Sequence, residues 1–88
     1  MVSQKVVIVN PTGLHLRPAG MLCNKAMEFK SRVTFSFGDY HANAKSVLSV
    51  LGACIKNGDE IEIFCEGEDE EEALAGVVRT IEAGLGEH

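Results

Sequence analysis

The sequence predicts an α+β fold: a four-stranded, mainly antiparallel sheet covered on one side by three helices. Two observations lead there. Stretches of alternating apolar and polar residues are interleaved with stretches of helical period, in the order strand, helix, strand, strand, helix, strand, helix. The strands alternate rather than run apolar throughout, so each needs only one covered face, which suits antiparallel pairing with the helices gathered on that face. A chain of 88 residues has room for one core, so residues 1–88 are expected to form a single domain.

Each element has a local reason. Residues 4–9 are rich in β-branched side chains (Val6, Val7, Ile8, Val9) and predict the first strand. Asn10-Pro11-Thr12-Gly13 ends it with turn-forming residues. Over residues 18–29, Ala19, Leu22, Cys23, Ala26 and Phe29 recur at helical spacing. Pro18 is tolerated only in a first turn, so this helix begins just before it and His15 lies at its mouth. Val33, Phe35 and Phe37 alternate with Arg32, Thr34 and Ser36 as a half-buried strand, and Gly38-Asp39 turns the chain into a short return strand over 40–43. Ser46 is placed to cap a brief helix carrying Val47, Leu48, Val50 and Leu51. Asn57-Gly58-Asp59 breaks the chain before a strand over 60–66, in which Ile61, Ile63 and Cys65 share one face. Asp69 is placed to cap a final helix whose apolar face holds Leu74, Val77, Val78 and Ile81, and Gly84 and Gly86 are its stop signals.

Composition narrows the function. A net charge of −5, with the basic residues spread along the chain, argues against a general nucleic-acid binder. No apolar run approaches the roughly 18 residues of a membrane span, and the first residues have no signal-peptide shape, so a cytoplasmic protein is expected. Cys23, Cys54 and Cys65 have no C-x-x-C spacing and are expected to be small apolar fillers within elements. The acidic run from Glu66 to Glu72 overlaps a helix start, where negative charge suits the helix dipole, and it is expected to be a solvated helix end rather than a metal site. No metal or cofactor is expected. A chain this small cannot enclose a large substrate cavity, so its chemistry should lie at the surface and its counterpart should be another protein.

The chemistry-bearing stretch is Asn10-Pro11-Thr12-Gly13-Leu14-His15-Leu16-Arg17-Pro18-Ala19. His15 is an imidazole nucleophile on a loop within a partner's reach. The unpaired N–H groups of the following helix start favour an anion, and Arg17 adds a fork of donors for phosphate oxygens. Histidine beside an anion-binding helix end and an arginine meets the requirements of a phosphoryl carrier, in which transfer is mainly positioning and electrostatics. Spacing alone leaves a second reading open: a histidine near a helix start is often a surface or capping residue.

The segment Gly13-Leu14-His15-Leu16-Arg17-Pro18-Ala19 closely resembles the active-site signature of the HPr family, the histidine-containing phosphocarriers of the bacterial phosphoenolpyruvate-dependent sugar phosphotransferase system. The resemblance continues through Asn43-Ala44-Lys45-Ser46-Val47-Leu48, Gly58-Asp59-Glu60-Ile61 and Glu66-Gly67-Glu68-Asp69-Glu70, and so covers essentially the whole chain. It implies an open-faced sandwich, β-α-β-β-α-β-α. It implies that enzyme I, phosphorylated by phosphoenolpyruvate, hands its phosphoryl group to Nδ1 of His15, and that the sugar-specific A components of the enzymes II take it away. Arg17 would steady the phosphoryl group, Thr12 would stand near it, and the backbone at Leu16 and Arg17 would donate N–H groups. The chain would be a monomeric carrier rather than an independent enzyme.

Ser46 carries a second implied role. In many Gram-positive relatives the matching serine is phosphorylated by an ATP-dependent HPr kinase/phosphorylase, and the product serves as corepressor with a catabolite-control transcription factor. Val47, Leu48 and Leu51, if they project outward, form an apolar docking patch. A purely regulatory paralogue and a carrier serving a nitrogen-type regulatory chain are the alternatives; the presence of His15 weighs against the first and the Lys45-Ser46-Val47-Leu48 context against the second. Two positions depart from the family pattern: Leu16 stands where a small residue or threonine is common, and Cys54 where glycine is usual. His41 and His88 have no comparable surroundings and are expected to be bystanders.

Overall fold

A computed structural model describes residues 1–86, so His88 lies outside the described residues. The element order is β1 (Val2–Val7), α1 (Leu16–Met27), β2 (Arg32–Phe37), β3 (Tyr40–Asn43), α2 (Val47–Gly52), β4 (Glu60–Glu66) and α3 (Glu70–Glu82). The strands form one sheet in the order β1-β4-β2-β3, with every neighbouring pair antiparallel. The architecture is the open-faced sandwich expected from the sequence. The alternation in β4 shows why: Ile61, Ile63 and Cys65 are buried and face Val6, Phe35 and Val33 across the ladders, beneath the helices. The opposite face carries Lys5, Glu62, Ser36 and His41 in one cross-strand row, open to solvent.

The helices bury the faces their periodicity marks out. Ala19, Leu22, Cys23 and Ala26 of α1 and Ala73, Val77, Val78 and Ile81 of α3 join the core. Phe29, expected as the last apolar residue of the first helix, lies beyond its C-cap Glu28 and packs half-buried against α3. Gly76 makes room for it, since a Cβ there would sit 2.8 Å from the Phe29 ring. α3 ends in a Schellman motif: Gly84 N–H donates to Ile81 O (3.0 Å) and Leu85 N–H to Thr80 O (3.3 Å), with Gly84 at φ +91°. Gly84 therefore does what the sequence assigns to it.

Three further expectations need correction. The first strand runs over Val2–Val7 rather than 4–9. Its extent is set by its partner: Val2 pairs with Cys65 and Val7 with Glu60, the first residue of β4, so the ladder takes in Val2 and Ser3 and ends before Ile8 and Val9 despite their strand preference. Cys23 and Cys65 are buried within elements, where loss of solvation raises both thiol pKa values, but Cys54 is exposed and follows α2 at φ +55°. That left-handed conformation is the helix-ending position at which glycine is the unstrained residue.

Asp69 is the third. It occupies the N-cap position of α3, yet its carboxylate makes no cap bond; it accepts instead from Lys30 N–H (2.9 Å), Ser31 N–H (2.9 Å) and the Ser31 hydroxyl. The side chain thus pins the α1–β2 connection to the start of α3. The Ser31 hydroxyl first, and then the Lys30 and Ser31 amides, hold the Asp69 carboxyl at about 2, below the ordinary 3.8. A carboxyl depressed on folding stabilises the fold fully above its unfolded pKa and loses that contribution as pH falls through the folded value. Acid titration of stability should therefore show a loss between pH 3.8 and about 2 that is reduced in Asp69→Asn, whose side chain has no carboxyl to titrate. Equal acid sensitivity of the two proteins would contradict the clamp.

Candidate functional site: the mouth of helix α1

The loop between β1 and α1 is held on both sides. Gly13 N–H donates to Asn10 O (3.1 Å), closing a turn over Asn10-Pro11-Thr12-Gly13, and Asn10 Nδ2 donates to Gly13 O. Leu14 is buried, and its N–H donates to Ile55 O (2.9 Å) in the α2–β4 connection. Gly13 makes that approach possible: it sits at φ +70°, and a Cβ there would lie 2.7 Å from Ile55 O. The loop is thereby laid against residues 55–57 before the chain turns into α1.

His15 is the N-cap of α1, with extended backbone (φ −97°, ψ −166°) and a carbonyl that accepts from Ala19 N–H at 2.8 Å. Its imidazole is exposed and makes no cap bond, so the ring is not committed to the helix. Leu16 and Arg17 are the first two helical residues, and Pro18, the third, is buried with no N–H to satisfy. The Leu16 and Arg17 amides have no intrahelical acceptor. The first turn of α1 contains no acidic residue, whereas the first turn of α3 contains Glu70, Glu71 and Glu72. At α3 the helix dipole is matched by the protein's own carboxylates, as expected of the acidic run; at α1 no carboxylate of the first turn meets the positive end. Arg17 is exposed and makes no ion pair with another described residue, so its guanidinium is available at the same end.

The expected site residues divide into two groups. His15, Leu16 and Arg17 stand together at the α1 mouth, with Thr12, exposed, in the turn that leads to it. Ser46 is on α2, which packs against α1; it caps that helix as expected, its Oγ accepting from Ser49 N–H at 3.2 Å. Of the apolar residues named for a docking patch, Leu48 is 82 % exposed, while Val47 and Leu51 are half-buried against the core. Their burial follows from position: they flank Val50, the one fully buried residue of α2. Leu16, at 68 % exposure, adds an apolar surface beside His15. Its bulk is accommodated because the side chain projects to solvent. Among the described residues, no group of His, Cys, Asp and Glu side chains could hold a metal ion.

Comparison with known proteins decides the family. The family model described as PTS HPr component phosphorylation site matches residues 2–83. The chain belongs to the HPr family of phosphocarriers. It is 36 % identical over 86 residues to phosphocarrier protein HPr of Lysinibacillus sphaericus, covering 97 % of this chain and 98 % of that one. It is 38 % identical over 74 residues to the HPr-like protein Crh of Bacillus subtilis, covering 84 % of this chain and 87 % of the relative. Among solved structures, HPr-C-His from Thermoanaerobacter tengcongensis superposes with a TM-score of 0.96 at 34 % identity, over 100 % of this chain and 99 % of that one. The HPr architecture thus extends from β1 to the end of α3.

Asn10 and the 55–57 backbone are the parts of this site that sequence reasoning passed over. Asn10-Pro11 reads as turn chemistry, and nothing in the local pattern distinguishes an exposed turn asparagine from one that is fully buried, as Asn10 is. Gly13 was the available signal, since a glycine between a turn and a helix mouth marks close backbone approach.

Proposed function

We propose that the chain accepts a phosphoryl group from phosphorylated enzyme I on Nδ1 of His15 and passes it to sugar-specific enzyme II A components. The observation that carries this reading is the α1 mouth: an exposed N-cap imidazole free of cap duty, beside helix amides and an arginine, in a first turn without acid. The reacting form is the neutral imidazole. Its Nδ1 lone pair forms the N–P bond as the donor's bond to phosphorus breaks; the donor leaves with the electron pair, and the Nε2 proton stays on the ring. The phosphoryl group itself carries a charge of about −1.5 to −2 by analogy with other phosphorylated side chains, on a ring that the retained Nε2 proton leaves positive. That charge meets the Leu16 and Arg17 amides, the α1 dipole and the Arg17 guanidinium, with Thr12 at the edge of the loop. Delivery to an enzyme II A component reverses the geometry, and the partners supply the remaining catalytic groups. Leu16 and Leu48 are apolar contacts for such partners, with Val47 and Leu51 supporting them. The chain works in this reading as a cytoplasmic, single-domain monomer without a cofactor. Incubation with phosphoenolpyruvate and enzyme I should add one acid-labile, base-stable phosphate that maps to His15; labelling at another residue would refute the assignment.

Ser46 supports a second, compatible reading, regulation by an HPr kinase/phosphorylase and pairing of the product with a catabolite-control transcription factor. Its half-buried hydroxyl caps α2, and a phosphate there would lie at a helix N-terminus, where the dipole favours it. Incubation with a cognate kinase and ATP should give an acid-stable phosphate that is lost in Ser46→Ala. The same substitution removes the cap bond to Ser49 and should cost about 1 kcal/mol of stability. A stability loss without any kinase labelling of the parent would leave Ser46 as a cap alone.

A further inference from the structure

We propose that Asn10 is a positioning residue for His15, an inference that rests on His15 being the phosphoryl acceptor. Asn10 is fully buried, although it lies in a turn four residues past the buried Val6 of β1, where an apolar side chain would fill space without the desolvation cost of a carboxamide. What the carboxamide does is specific. Its Nδ2 donates to Gly13 O, while Leu14 N–H, on the other side of the same peptide unit, donates to Ile55 O. Both polar groups of the Gly13–Leu14 peptide are therefore held. The turn below it is closed by Gly13 N–H on Asn10 O, and Leu14 is anchored in the core.

That peptide is separated from His15 only by Leu14, which is itself anchored in the core. Gly13 at φ +70° is the most permissive residue of the loop, so without a restraint on its carbonyl the peptide can rotate. Rotation there redirects the backbone at His15, and with it the imidazole relative to the Leu16 and Arg17 amides. Asn10 removes that freedom in advance. It touches neither donor nor phosphoryl group and acts through the loop, so it should affect alignment for transfer and leave recognition of the partner's surface intact.

The test uses the full chain as acceptor for enzyme I and phosphoenolpyruvate, with Asn10→Ala and Asn10→Leu compared with the parent. The leucine variant has the same number and branching of side-chain heavy atoms as asparagine and is apolar, so it fills the site while removing the donor, and it carries the test where the alanine variant is poorly folded. In both, kcat for labelling His15 should fall by about tenfold to a hundredfold with KM unchanged. Amide exchange at Leu14 should quicken while that of the β1–β4 ladder is preserved. An Asn10→Leu variant with parental kcat would overturn the positioning role. A parent chain that takes no label on His15 would instead refute the acceptor assignment beneath it.

Discussion

His15→Ala should reduce labelling by phosphoenolpyruvate and enzyme I to background while leaving the fold intact. The loss is complete because the imidazole is the nitrogen nucleophile of the α1 mouth: Leu16 is an alkyl side chain, and the Arg17 guanidinium only donates hydrogen bonds. Stability should change by no more than about 0.5 kcal/mol, the usual range for an exposed position. The structural reason is that the ring makes no cap bond, and the His15 carbonyl that accepts from Ala19 N–H is backbone and survives the substitution. Labelled phosphate counted after base and after acid treatment, with thermal unfolding of the same samples, separates the two effects. Residual acid-labile label in the variant would place the acceptor elsewhere.

Gly13→Ala should damage both stability and transfer. At φ +70° an alanine enters the left-handed region at a cost of about 1–2 kcal/mol. Its Cβ would then lie 2.7 Å from Ile55 O and 2.8 Å from Lys56 Cα. Both are backbone atoms, so neither can rotate aside, and overpacking of this kind costs about 1–3 kcal/mol more. A total of about 2–5 kcal/mol is a large part of the roughly 5–15 kcal/mol that holds a domain folded. The loop can escape the clash only by leaving residues 55–57, which breaks the Leu14–Ile55 bond and shifts His15. Chemical denaturation should show the destabilisation, and labelling by enzyme I should slow by about tenfold or more even where the variant is fully folded. A stable variant that is labelled at the parental rate would mean that the contact with residues 55–57 does not position His15.

Much of this was legible residue by residue. The alternation of Ile61, Ile63 and Cys65 with glutamates and Phe64 marked β4 to its exact ends, because a strand between two partners with one covered face has no freedom to do otherwise. Pro18 located the start of α1, because a residue without an N–H is at home only where no intrahelical acceptor waits for one. The Ser46 cap and the Gly84 stop were equally local and equally readable. β1 was harder, since Val2 and Ser3 are recruited by pairing with Cys65 and Phe64, while the β-branched Ile8 and Val9 lie past the end of the ladder. Asp69 shows the same limit: its type predicts a capping carboxylate, but the Lys30 and Ser31 donors that capture it belong to a distant part of the chain.

By itself, then, the sequence determined the element order, the covered and open faces of the sheet, and a histidine placed one residue before an acid-free helix start that also carries an arginine. These follow from periods, caps and turn residues that act over a few positions. Only the tertiary structure decided that Leu48 stands out while Val47 and Leu51 lean on the core, that Cys54 takes the exposed helix-ending position, and that Asn10 is buried under the His15 loop. Those outcomes depend on where α1, α2 and the 55–57 backbone meet. Contacts between segments tens of residues apart leave no periodic trace in either segment, so the direction in which His15 points is a property of the assembled fold.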